Sequence, residues 1–88
     1  MATENPSKQV TLISRGYCHL CHDMELALQP LLAELGAVVQ VLDVDADPDL
    51  EARYDELVPV LLEGNGETHQ EICHYFLDEG AIRTYLSR

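Results

Sequence analysis

Near the start of the chain, a strand pattern is followed almost at once by a helix pattern. Residues 8–14 hold Val10, Leu12 and Ile13 in a short apolar run, which is typical of a buried strand. From residue 19 to residue 35, apolar residues recur every three or four positions, as they do on one face of a helix. The chain therefore begins with a strand and a helix that packs on the sheet of that strand, which favours an α/β fold.

Five further segments have the composition of regular elements, in the order strand, helix, strand, strand, helix: residues 37–44, 48–54, 57–62, 67–73 and 75–86. Asp47 and Pro48 are typical of a helix cap and of the first helical position. Gly36 is typical of a helix end, whereas Pro30 is expected to bend the first helix. Gly64-Asn65-Gly66 is a hairpin signal, which predicts that the last two strands are antiparallel.

The predicted order β-α-β-α-β-β-α restricts how the sheet is built. The hairpin rules out an all-parallel sheet, and the first two strands need a crossover through the first helix. We therefore expect a central four-stranded mixed sheet with helices on both faces, in one domain that spans residues 1–88. Residues 1–7 are expected to form a flexible lead to this domain.

The composition limits the partners that such a domain can have. The chain has 88 residues, enough for one domain with a modest core. Its 16 acidic residues against 5 Lys and Arg give a formal charge of −11, which disfavours nucleic acid and anionic membranes as partners. No signal segment opens the sequence, and no run approaches the roughly 20 apolar residues of a membrane helix. We therefore expect a cytoplasmic monomer whose partners are disulfide-containing proteins or small thiols.

The motif Cys18-His19-Leu20-Cys21 joins the first strand to the first helix. Unpaired backbone N–H groups and the dipole at a helix start favour a thiolate, the nucleophile of disulfide exchange, on Cys18. Cys21, one turn later, is placed to attack a mixed disulfide on Cys18 and release the substrate thiol. Three cysteines are an odd number and do not indicate a structural disulfide framework in a cytoplasmic chain. We therefore predict that Cys18 and Cys21 form a catalytic dithiol.

Charged neighbours act on a Cys18 thiolate in both directions. A positive charge on Arg15, or on a protonated His19 or His22, would stabilise the thiolate, whereas the carboxylates of Asp23 and Glu25 oppose it. The sequence alone leaves open whether these charges together stabilise or destabilise the Cys18 thiolate.

Residues 14–21 resemble the active-site pattern of glutaredoxins, with the basic Arg15 three places before the first cysteine and the aromatic Tyr17 directly before it. Val58 and Pro59 resemble the second signature of that family, in which the proline has a cis peptide bond and faces the disulfide. The resemblance covers nearly the whole chain in element order and is greatest to short bacterial glutaredoxin-like proteins. It implies a thioredoxin-like fold, thiol-disulfide oxidoreductase activity, and substrate binding by Arg15, Tyr17, Val58 and Pro59.

The sequence departs from the glutaredoxin pattern in two places. His19 replaces the proline that usually follows the first cysteine, and residues 73–76 replace a glycine pair followed by an acidic residue. The exchange chemistry requires no cofactor beyond a source of electrons, for which glutathione and a reductase protein are the two candidates. The missing motif and the acidic balance of the chain work against glutathione, while a local Arg15 works for it.

Cys73 is a candidate third thiol. A two-residue turn at Asn65 and Gly66 would pair Cys73 with Val58 and bring this thiol beside the Pro59 loop. The alternative, which we favour, is that Cys73 is a small buried residue of a strand.

Three other functions fit parts of the same pattern. Cys18, Cys21 and His22 spell the attachment signature of c-type haem, although that attachment normally takes place outside the cytoplasm. A zinc or iron-sulfur site could draw on Cys18, Cys21, Cys73 and a histidine, but a second ligand pair at finger-like spacing is absent from the sequence, so we predict no metal ligands. A redox-silent interaction module is the third alternative, and the two intact thiols argue against it.

Overall fold

The computed structural model describes residues 8–87, and over these residues it contains four strands and three α-helices: β1 (Gln9–Ser14), α1 (His19–Leu35), β2 (Val38–Asp43), α2 (Pro48–Tyr54), β3 (Val60–Glu63), β4 (Glu71–His74) and α3 (Glu79–Leu86). A short 3-10 turn over Val44–Ala46 leads from β2 toward α2. The flexible lead predicted for residues 1–7 lies outside the described residues.

The strands form one mixed sheet in the order β2-β1-β3-β4. β1 runs parallel to β2, with Gln9 opposite Val38, and antiparallel to β3, with Leu12 opposite Leu61. β4 pairs antiparallel with β3 and lies at the edge of the sheet. The predicted four-stranded mixed sheet is therefore confirmed.

Side chains of the central strand divide the core between the two faces of the sheet. Leu12 packs with buried residues of α1 and α3, whereas its neighbour Ile13 packs with Val44 and with Tyr54 of α2. Successive side chains of a strand point to opposite faces, so one apolar strand can serve both clusters. Helices consequently cover both faces, as the predicted α/β architecture requires. None of the described helices is long and apolar enough to cross a membrane.

α1 has the predicted bounds, and its end follows from Gly36. This glycine has a φ of 67°, and its N–H donates to the Leu32 carbonyl, which closes the helix in the left-handed conformation that glycine adopts most readily. Pro30 does not end the helix, which continues to Leu35. Leu31 and Leu32 are buried directly after the proline, so core packing holds the last turn in place despite the missing hydrogen bond.

The hairpin between β3 and β4 has a longer loop than predicted, with seven residues over 64–70. As a result Cys73 lies opposite Leu61, and a register shift follows at Leu62. The predicted pairing of Cys73 with Val58 is therefore wrong. His69 has a positive φ of 57° within the loop, and its Nδ1 is 3.0 Å from the buried Tyr54 hydroxyl, a contact that fixes the loop beyond the glycine turn.

α3 begins four residues later than predicted. Asp78 is its N-cap, and the Asp78 carboxylate accepts a hydrogen bond from the Ala81 N–H at 3.0 Å. Residues 75–78 form a turn instead of the first helical turn. Tyr75 has a φ of 66°, which lies outside the φ ranges of both an α-helix and a β-strand. An aspartate directly before a helical segment is a strong N-cap signal, and it marks the observed start.

Candidate functional site

Cys18 lies at the junction that the sequence singled out, between the turn after β1 and the first turn of α1. Its backbone is extended, as is usual for an N-cap, and its Sγ accepts a hydrogen bond from the Cys21 N–H at 3.1 Å. The side chain of Cys18 is half-buried, whereas that of Cys21 is only 2% exposed. Of the two sulfurs, Cys18 is therefore the one that a disulfide substrate can reach.

The two cysteines form a disulfide, and their Cα atoms are 5.2 Å apart. This separation is within the usual range for a disulfide, so the backbone needs no rearrangement to bring the sulfurs together. The predicted dithiol is thus assembled in space by the first turn of α1.

The charge around the helix start favours an anion on Cys18. The first turn of α1 carries no Asp or Glu, and the Cys21 N–H that contacts the Cys18 sulfur is one of the unpaired donors of a helix start. Asp23 and Glu25 follow this turn in the sequence of α1. In the reduced protein the same N–H would stabilise a Cys18 thiolate.

A cleft of about 360 Å³ opens beside Cys18, and we call it the thiol cleft. Five residues line it: Gly16, Tyr17, Cys18, His19 and His22. Tyr17 is 86% exposed, so this side chain stands out from the surface next to the sulfur and does not cover the helix end. Its predicted role in substrate binding stays a prediction.

The Val58-Pro59 peptide bond is cis, as the resemblance implied. Pro59 is buried, and its carbonyl accepts a hydrogen bond from the Tyr75 N–H at 2.9 Å. The Tyr75 hydroxyl also donates to the Glu56 carbonyl at 2.7 Å. Tyr75 therefore ties the loop before β3 to the turn after β4, and substrate binding by Val58 and Pro59 stays a prediction.

Arg15 is engaged by two carboxylates. Its guanidinium donates to both carboxylate oxygens of Asp45, at 2.9 and 3.0 Å, and to the carboxylate of Asp55. These bonds raise the pKa of Arg15 further and lower the pKa of Asp45. Arg15 consequently joins the end of β1 to the 3-10 turn and to the end of α2, and its predicted role in substrate binding remains untested.

We expect an Arg15→Gln variant to melt about 2–4 °C below the wild type at pH 7, since it loses both ion pairs. The folded pKa of Asp45 lies below its ordinary value of 3.8, so this stabilisation is complete above about pH 5 and is lost as the pH falls through the folded pKa. The two melting temperatures should converge between about pH 5 and pH 2. Arg53→Gln, at the exposed end of α2, is the matched control. Equal melting temperatures at pH 7 would contradict the stabilising role.

Cys73 belongs to the core that α1 and α3 cover. It is 8% exposed and packs in the same cluster as Leu28 and Ile82. Burial raises the pKa of the Cys73 thiol, which lowers its reactivity at neutral pH. The structure therefore places Cys73 as a small buried strand residue.

The metal alternative finds no assembled ligand set in the part of the chain that the structure describes. Over residues 8–87, no three side chains of His, Cys, Asp or Glu converge to hold an ion. Cys73, which that alternative needs, is in the core away from the surface.

A second cleft, of about 180 Å³, lies along α1, and the sequence did not reveal it. We call it the apolar groove, and besides Asp23 six residues line it: Leu20, Met24, Ala27, Tyr75, Phe76 and Leu77. Phe76 falls within the helix predicted over residues 75–86, but it is 69% exposed in the turn before α3. Two adjacent aromatic residues directly after a strand were the one signal for this surface.

Comparisons with known proteins identify the family of this chain. Residues 9–87 match the family described as Glutaredoxin-like domain (DUF836). The uncharacterized protein Rv0508 of Mycobacterium tuberculosis is 31% identical over 86 residues, which cover 91% of this chain and 84% of the relative.

Solved structures share the fold. Protein Ne2328 from Nitrosomonas europaea, determined by solution NMR, is 32% identical with a TM-score of 0.79 and covers 97% of this chain and 98% of its own. A structural genomics target from X. campestris, determined by X-ray diffraction, is 31% identical with a TM-score of 0.60 over 89% of this chain and 95% of its own. Thioredoxin 1 from Thermosipho africanus has the same fold at 20% identity, with a TM-score of 0.61 over 90% of this chain and 94% of its own. The chain therefore belongs to the glutaredoxin-like family and has a thioredoxin-like fold.

Proposed function

We propose that this protein is a thiol-disulfide oxidoreductase that uses Cys18 and Cys21 as its dithiol. The observation that carries the proposal is the position of Cys18, whose accessible sulfur accepts an N–H bond at the start of α1 while the buried Cys21 lies within bonding distance. The Cys18 sulfur is thereby available to a substrate, whereas the Cys21 sulfur is available only to Cys18.

The reaction takes place in two exchanges. The Cys18 thiolate attacks one sulfur of a substrate disulfide, so that a mixed disulfide forms and the first substrate thiolate leaves. Cys21, after losing its proton, attacks the Cys18 sulfur and releases the second substrate thiol. Two electrons and two protons pass from the protein to the substrate, and Cys18 and Cys21 end as a disulfide.

The surroundings of Cys18 supply the remaining roles. Tyr17 flanks the sulfur in the thiol cleft, and we assign it, together with Val58 and Pro59, to substrate binding. Arg15 acts mainly by positioning the turn before Cys18 through its pairs with Asp45 and Asp55. A thiol such as glutathione, or a reductase protein, would restore the dithiol in a reducing compartment such as the cytoplasm.

The test is a single-turnover reaction of the fully reduced protein with bis(2-hydroxyethyl) disulfide, a small neutral substrate. Samples are quenched with acid and alkylated in denaturant, and mass spectrometry then counts the free thiols. We expect two of the three thiols to disappear together, and a Cys73→Ser variant to react within about twofold of the wild-type rate, because Cys73 is buried.

Two outcomes would refute the proposed function. One is reaction of the folded protein no faster than that of the same chain unfolded in denaturant at the same pH. The other is loss of the reaction in Cys73→Ser, which would place the chemistry on the wrong sulfur.

A further inference from the structure

The apolar groove and the thiol cleft are lined by neighbouring residues at the start of α1. Leu20 lines the groove, and its neighbour His19 lines the thiol cleft together with Cys18. A polypeptide joined to Cys18 by a mixed disulfide therefore has an apolar surface within reach of the side chains next to its own cysteine.

The aromatic wall of the groove is held in place by hydrogen bonds. The Tyr75 N–H donates to the Pro59 carbonyl at 2.9 Å, and the Phe76 N–H donates to the His74 carbonyl at 2.7 Å. The Tyr75 hydroxyl is fixed on the Glu56 carbonyl. Phe76 is thus exposed on an ordered turn. An aromatic side chain on an ordered backbone loses little conformational freedom when a partner covers it.

The charges near the groove oppose an anionic substrate. Asp23 lines the groove, and no residue that lines either cleft in the described part of the chain is Lys or Arg. The start of α3, directly after Leu77, is capped by the carboxylate of Asp78 and also carries Glu79. One of those helix-end N–H groups, that of Ala81, already donates to the Asp78 carboxylate, and negative charge at this helix start opposes the binding of an anion.

The cations of the described chain lie elsewhere or are engaged. The Arg15 guanidinium is bound by Asp45 and Asp55, and that of Arg83 by Glu34 and Glu79. Arg53 lines a separate cleft. Lys8 precedes β1, at the end of the strand opposite to Cys18, about 20 Å away.

We infer that the preferred substrate of this dithiol is a disulfide in a polypeptide segment that carries an aliphatic or aromatic side chain and a basic residue beside its cysteine. The apolar side chain lies in the groove between Leu20 and Phe76, and the basic residue pairs with Asp23. An acidic thiol such as glutathione meets the carboxylate of Asp23 there, and neither Lys nor Arg lines the groove. This preference rests on the proposed exchange activity and specifies its substrate class.

The experiment compares three short peptides whose single cysteine is joined to 2-mercaptoethanol through a disulfide. The cysteine is flanked by Leu and Lys in the first peptide, by Gly and Lys in the second, and by Leu and Glu in the third. Each oxidises the reduced protein by accepting two electrons and two protons, which leaves the peptide thiol and 2-mercaptoethanol. Rates are divided by those with dithiothreitol, so that intrinsic differences between the peptide disulfides cancel.

We expect the Leu-Lys peptide to react roughly tenfold faster than the Gly-Lys peptide, and roughly threefold faster than the Leu-Glu peptide at low salt. Added salt should reduce the second ratio, that of the Leu-Lys to the Leu-Glu peptide, because it depends on charge. The first ratio, that of the Leu-Lys to the Gly-Lys peptide, should not change. Phe76→Ser should reduce the first ratio, and Asp23→Asn the second.

Leu26→Ser is the matched control for both variants. Leu26 lies on the same helix and is 57% exposed, but it does not line the groove, so both ratios should stay at their wild-type values. Equal normalised rates for the three peptides with the wild type would overturn the inferred preference, and so would a full preference that persists in Phe76→Ser. Failure with bis(2-hydroxyethyl) disulfide as well would instead refute the exchange activity itself.

Discussion

A Cys18→Ser variant is expected to lose disulfide exchange by on the order of 10³-fold or more, because it lacks the sulfur that attacks the substrate. Its fold should be unchanged, since a serine hydroxyl at an N-cap accepts the same backbone N–H that the Cys18 sulfur accepts. The single-turnover reaction with bis(2-hydroxyethyl) disulfide measures the loss, and far-UV circular dichroism checks the helix content.

Cys21→Ser is the matched variant, and it should behave differently. It retains the attacking sulfur and lacks the resolving one, so we expect it to accumulate a mixed disulfide that adds the mass of one substrate thiol less two hydrogen atoms. Rapid formation of a mixed disulfide on Cys21 in the Cys18→Ser variant would reverse the assignment, which rests on the burial of Cys21.

Leu28→Ala is expected to lower the free energy of unfolding by about 2–5 kcal/mol, a large part of the stability of a domain of this size. Leu28 is fully buried between α1 and the sheet, in the cluster that contains Leu12, Leu61 and Ile82. Its truncation removes apolar contacts and leaves a cavity, while alanine keeps the helix propensity of the position.

Urea unfolding of both proteins measures this change through the midpoint at a constant slope. Leu26→Ala, two residues away on the exposed face of α1, is the control and should change the unfolding free energy by no more than about 0.5 kcal/mol. A similar loss of unfolding free energy in the two variants would mean that Leu28 is not part of the core.

Features set by local chemistry were predictable from the sequence. The cap at Asp47, the proline at position 48 and the left-handed end at Gly36 are decided by residues within one turn of the helix, and the structure confirms α1 and α2 with their predicted bounds. The close approach of Cys18 and Cys21 follows from the same short-range geometry, since a helix turn brings residues three apart together.

Features set by distant parts of the chain were not predictable. The hairpin register was wrong because the loop extends to residue 70, held in part by the contact of His69 with Tyr54 of α2. The start of α3 was placed too early because Tyr75 and Phe76 fit a helical period, although Tyr75 bonds to the loop before β3 instead; the local N-cap signal of Asp78 marks the observed start. The apolar groove was missed because its walls come from segments about 50 residues apart in the sequence.

Tyr75 connects two loops that are otherwise separate in the chain, through its backbone bond to Pro59 and its hydroxyl bond to Glu56. One residue thereby couples the predicted docking segment before β3 to the aromatic turn before α3. A partner that displaces either loop must break bonds to the other, so the two loops respond to binding as a single cooperative unit, and amide hydrogen exchange in both should slow together when a mixed disulfide forms.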